Sequence, residues 1–92
     1  MRWLRKREVI IYFLLYSKFR YQEFDIGEAF KVLEPYFSKK VIKNSIKYLS
    51  KIGLITGVDK IKYRLNPFED FVLFYVGYQY LQRRAKLHHK AL

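Results

Sequence analysis

Between Ser38 and Gly53 the chain carries a helix whose two ends are both marked and whose two sides are chemically opposite. Ser38 is an N-cap residue, able to accept a backbone N–H left unpaired in the first turn. Gly53 suits the left-handed position that follows a helix, because it has no Cβ to clash there. At 100° per residue, Ile42, Ile46 and Leu49 fall on one side, with Val41, Tyr48 and Ile52 on its flank. Lys40, Lys43, Asn44, Lys47 and Lys51 fall on the other, and no carboxylate occurs between Phe37 and Val58. A helix face that is only solvated ordinarily mixes both signs, since opposite charges at i,i+4 support it. This helix must bury one side while presenting an almost purely cationic surface on the other.

Around it the remaining elements follow from punctuation and spacing. Val9, Ile10, Phe13 and Leu14 recur at helical intervals, widened by Ile11 and Leu15, and predict a helix from about Leu4 to Lys18. The alternation from Tyr21 to Ile26 suggests a short strand. Asp25 with Glu28 three residues on resembles a capping box, so a second helix starts near Ile26, carries Ala29, Phe30 and Leu33, and stops before Pro35. Leu54–Val58 and Ile61–Leu65 read as two short strands, with Gly57, Asp59 and Lys60 at or near the turn. Asn66-Pro67-Phe68-Glu69 has the order of N-cap, proline at N1 and acid at N3, which predicts a last helix from Pro67 to about Leu87. The expected fold class is α+β and mostly helical: helix, short strand, helix, helix, hairpin, helix. Residues 1–66 form the domain, and residues 67–92 a helix packing on it.

Composition narrows the function. The chain has 92 residues, enough for one core, and its 51% hydrophobic content argues against disorder. Against 8 Asp and Glu stand 19 Lys and Arg, a formal net charge of +11 that calls for an anionic partner. There is no cysteine, which excludes a disulfide framework, a Cys-containing zinc site and a thiol nucleophile. The lack of Cys, together with few Asn and Gln, leans toward a thermophile. His88 and His89 are adjacent, point about 100° apart on a helix and have no carboxylate nearby, so no metal is expected. No glycine-rich phosphate loop or Ser-His-Asp set is present, and an enzyme is not expected. The longest apolar run, Val9 to Tyr16, is far shorter than the ~20 residues that span a bilayer, and no small-residue cleavage site follows it. The expectation is a cytoplasmic protein with no membrane partner, cofactor or small-molecule ligand.

The run from Ser38 to Ile55, ending in Gly53-Leu54-Ile55, resembles the recognition-helix signature of winged helix-turn-helix DNA-binding proteins, the small archaeal-type transcriptional regulators among them. Ile42, Ile46 and Leu49 sit at that family's apolar positions. Ile26-Gly27-Glu28-Ala29-Phe30 sits at its first helix-turn-helix element, and Tyr63 to Pro67 where its wing returns to the core. The resemblance spans Lys6 to Pro67. It implies a tri-helical core with a β-wing, Lys40, Lys43, Asn44 and Lys47 facing the major groove, and Lys60 and Lys62 in the wing touching the minor groove or backbone. With Lys39 and Lys51 these make the expected set of DNA contacts. Two departures stand out: Pro35 and two aromatics in the turn from Leu33 to Phe37, and a short wing better suited to a phosphate than to groove insertion.

The ends carry two further expectations. Arg2, Arg5, Lys6 and Arg7 form a basic start able to add phosphate contacts. In the last helix Phe71, Phe74, Tyr78, Leu81 and Ala85 follow 3-4 spacing, with Phe68, Val72 and Tyr75 on a neighbouring face. One stripe covers the domain, and the other needs a partner. The seam of Phe71, Phe74, Tyr78, Leu81 and Ala85, with Trp3, is the expected interface of a homodimer. The expected function is double-stranded DNA binding by a dimeric transcriptional regulator. Four groove-facing lysines with one Asn and no Arg supply phosphate affinity better than base readout, so specificity is modest. The alternatives are a chromatin-like DNA-coating protein and a winged helix used for protein–protein interaction.

Overall fold

The computed structural model describes residues 2–77 and 80–85. Helix α1 runs over Lys6–Phe19, strand β1 over Phe24–Asp25, α2 over Ile26–Leu33 and α3 over Lys39–Lys51. Strands β2, Ile55–Gly57, and β3, Lys62–Leu65, form a hairpin, and α4 is confined to Phe68–Phe71. Antiparallel pairing of Phe24 with Tyr63 and of Ile55 with Leu65 puts β3 between β1 and β2, making a small three-stranded sheet beside the helices.

Two helix starts obey their capping residues. The Asp25 carboxylate accepts the Glu28 N–H at 2.7 Å while the Glu28 carboxylate accepts the Asp25 N–H at 3.1 Å, closing the box that starts α2. Ser38 Oγ accepts the Val41 N–H at 3.3 Å and starts α3. At the far end of α3, Gly53 takes φ 88°, the Leu54 N–H reaches the Leu49 carbonyl at 2.9 Å, and the Gly53 N–H reaches Ser50 at 3.3 Å. That is a Schellman exit. It turns the chain so that Leu54, fully buried, follows α3 into the core.

The buried face of α1 differs from the expected one. Glu8, Ile11, Tyr12 and Leu15 face inward, while Ile10 and Phe13 are exposed and Val9 and Leu14 lie at the margin. Eight consecutive apolar residues satisfy a buried stripe in any rotation, so hydrophobicity alone leaves the phase open. Two polar groups decide it. Glu8 turns inward to meet Arg2, and the Tyr12 hydroxyl donates to the Asn66 carbonyl.

Asn66 is the second correction. It does not cap the last helix, whose N-cap position is held by Pro67 without a side-chain bond. Its amide instead donates to the Gly53 carbonyl at 2.8 Å and to Thr56 Oγ1 at 2.7 Å, and its N–H donates to the Leu54 carbonyl at 2.9 Å. One residue thus joins α1, the exit of α3 and the hairpin. Beyond it the regular α-helix expected from Pro67 is interrupted: α4 gives way to a π-helical stretch over Val72–Gly77, and residues 80–85 are α-helical again. The wider π winding shifts every later side chain relative to α4.

If Asn66 works as a clasp, the donor groups of its amide matter and its capping oxygen does not. Asn66→Asp and Asn66→Ala should then both destabilise the fold by about 1–2 kcal/mol. The melting temperature should drop by about 4–8 °C for each kcal/mol. Thermal unfolding followed by circular dichroism checks this; an Asn66→Asp protein that melts with the wild type would restore the capping role.

Candidate nucleic-acid interface

Lys39, Lys40, Lys43, Asn44, Lys47 and Lys51 are all exposed on α3, while Ile42, Ser45, Ile46 and Leu49 are buried. The cationic face spans about 18 Å along the helix axis. Its arrangement works against the helix that carries it. Lys39, Lys43, Lys47 and Lys51 form an unbroken i,i+4 ladder, each like-charged pair costing about 0.2–0.5 kcal/mol. Lys39 and Lys40 also sit in the first turn, with no acid there, where the helix dipole already favours negative charge. An anion lying along this face relieves both penalties.

Where the lysine face meets the sheet there is a cleft of about 430 Å³ lined by Ile26, Lys43, Ile46, Lys47, Ser50 and Tyr63. The Ser50 hydroxyl is buried and has no hydrogen-bond partner among the described residues.

The hairpin is short, as the sequence suggests. Its tip is stiffened by Asp59, whose carboxylate accepts the N–H groups of Ile61 at 2.9 Å and Lys62 at 3.1 Å and is held below the usual carboxylate range by them. Lys60 and Lys62 are exposed beside it.

The N-terminal segment is a strap. Arg2 Nη1 and Nη2 contact Glu8 Oε1 and Oε2 at 2.8 and 2.6 Å, and the guanidinium lies 3.8 Å from the centre of the Tyr48 ring on α3. The Tyr48 hydroxyl donates back to the Arg2 carbonyl at 2.9 Å. Arg2 is therefore occupied in holding α3 against α1, while Arg5, Lys6 and Arg7 stay exposed. A sequence signal existed, for Glu8 is the sole carboxylate in the first twenty-two residues.

The residues expected at a subunit interface are divided. Phe71 is only 3% exposed and packs within its own chain, 6.2 Å from the Trp3 ring. Spacing assigned it to the outer stripe, but it packs inward against Trp3 and Phe68. Trp3 keeps much of its indole exposed, Phe74, Leu81 and Ala85 are exposed, and Tyr78 lies outside the described residues. An open aromatic groove of about 580 Å³ between α1 and the C-terminal helix, bordered by Phe13, Tyr16, Tyr21 and Leu73, was not legible from spacing.

Among the described residues no cluster of three or more His, Cys, Asp or Glu lies together, and no helix is long and apolar enough to cross a membrane. No family model matches the chain, and comparison with curated proteins and with solved structures finds no match either.

Chiefly the hydrogen bonds from Arg2, opposed by burial and assisted by the Arg5 N–H, hold the Glu8 carboxyl below its ordinary value of 4.5. Its contribution to stability is complete above that value and is lost as pH falls through the depressed folded value. Glu8→Gln should therefore flatten the acid limb of a denaturant stability profile measured below about pH 4.5. Retention of the wild-type slope would show that the strap carries none of the acid sensitivity.

Proposed function

We propose that this protein binds double-stranded DNA through the exposed face of α3, laid in the major groove as in the winged helix-turn-helix proteins it resembles. The observation that carries this reading is the i,i+4 lysine ladder with Asn44 in its midst and no carboxylate to relieve it. An α-helix fits the major groove of B-DNA, where ammonium groups reach phosphates and an Asn amide pairs with adenine. The β2–β3 hairpin acts as the wing, with Lys60 and Lys62 on the adjacent backbone. The cleft beside Ser50 accepts a phosphate between Lys43 and Lys47.

Base readout is thin, with one Asn and no Arg on the face, so sequence preference is modest. The protein acts as a transcriptional regulator working as a homodimer, one α3 per half-site in successive major grooves. A DNA-coating role differs from this by the absence of an enriched sequence after selection from random duplexes.

The direct test is Lys43→Glu/Lys47→Glu against Lys18→Glu/Lys31→Glu, two exposed pairs on different sides of the chain with the same change in net charge. The α3 pair should weaken duplex binding at least about tenfold near 0.1 M salt and lower the slope of log K against log salt by about 2. The control pair should do much less. Equal losses in both would reduce the effect to net charge and remove α3 as the contact surface.

A further inference from the structure

We propose that the aromatic groove between α1 and the C-terminal helical segment is a binding site for an organic cation with an apolar body. It lies apart from the lysine face, since none of the residues lining it belongs to α3. At about 580 Å³ it has the size of a small-molecule site rather than of a packing gap. Tyr12 forms its floor, almost wholly buried, with its hydroxyl bound to the Asn66 carbonyl. The rings of Phe13 and Phe68 stand 5.2 Å apart beside it, and those of Tyr16 and Tyr21 5.3 Å apart. Ring contacts within the chain hold the walls, so the groove is preformed.

Charge sets the class of ligand. The chain carries a net +11, and the clefts beside α3, α2 and the N-terminus each have lysine in their linings. This groove is lined by no lysine or arginine, and its one charged residue is Glu69. The Glu69 carboxylate makes no hydrogen bond or ion pair with a described residue. It is close enough to matter. Behind burial and the neighbouring tyrosines, its field helps hold the Tyr12 and Tyr21 hydroxyls above their ordinary range.

An uncharged apolar ligand would strip water from that carboxylate and give nothing in return. A cation pairs with it and also meets aromatic rings, whose faces attract positive charge. The chain itself displays this attraction. The Arg20 guanidinium lies 4.9 Å from the centre of the Tyr16 ring, although Arg20 is not among the residues lining the groove. The rings are steeply inclined to one another, Phe13 to Tyr16 at 80° and Tyr16 to Tyr21 at 62°. Such walls suit a rounded cationic group better than a flat one that needs parallel stacking. A quaternary ammonium or phosphonium with aryl or alkyl arms matches the charge, the rings and the volume together.

Isothermal titration of the full chain with methyltriphenylphosphonium and with triphenylphosphine oxide tests the site. The two probes carry the same phenyl rings and differ in charge. The cation should bind once per chain and at least about fivefold more tightly than the oxide, against the protein's own net charge. Glu69→Gln should remove most of that preference and leave oxide binding unchanged. Glu34→Gln, the same loss of charge at an exposed position ending α2, should preserve the preference. Tyr21→Leu should weaken the cation more than the oxide. Equal binding of the two probes, or a preference that survives Glu69→Gln, would overturn the proposal. So would a preference lost equally in Glu34→Gln, which would reduce it to net charge. Failure of both probes to bind would overturn it too, and a dimer in sedimentation would then assign the groove to a second copy. None of these substitutions touches α3, so duplex binding by its lysine face is judged separately.

Discussion

Burial of Ile42, Ile46 and Leu49 holds in place a helix that its own charge would unwind. Each of these side chains contributes about 1.5–3 kcal/mol on leaving water, whereas the three like-charged steps of the Lys39–Lys43–Lys47–Lys51 ladder cost about 1 kcal/mol together. The apolar side therefore wins several-fold, and the cationic side can remain unneutralised in the free protein. The other contacts of the domain serve this balance. They supply the surface against which α3 packs, and they prevent it from rotating or fraying under its own repulsion.

The C-terminal half of α3 is tied down at two points by residues distant in sequence. Near its C-terminal half, Tyr48 is clamped by Arg2, whose guanidinium is fixed in turn by the buried Glu8. At its exit, the Gly53 carbonyl is held by Asn66, which also receives the Tyr12 hydroxyl from α1. Burial pushes the Tyr12 hydroxyl above its ordinary value, so it stays a neutral donor throughout the accessible pH range. The lysine face is rigidly presented because α1 anchors it from two directions.

Where a residue acts on its immediate neighbours, the sequence was a sound guide. Asp25 with Glu28, Ser38, and Gly53 each perform the local task their chemistry suggests. The exposed set on α3 was legible for the same reason, since only one rotation of that helix separates apolar from charged residues. Asn66 and Arg2 were misjudged because a short polar side chain, or a basic residue near a terminus, has a plausible local role that distant partners can override. In α1 the ambiguity was intrinsic: an apolar run without polar interruption carries no phase.

The sequence by itself determined α3, its bounds, its buried side and its uncompensated charge, because capping and amphipathic spacing act within a few residues. Only the tertiary structure decided which face of α1 turns inward, that Arg2 straps α3 rather than extending freely, and that Phe71 leaves the outer stripe for the core. Those outcomes depend on Glu8, Asn66 and Trp3 meeting residues brought near by folding. Local chemistry sets an element; the cost of leaving a buried polar group unpaired sets how elements are turned toward one another.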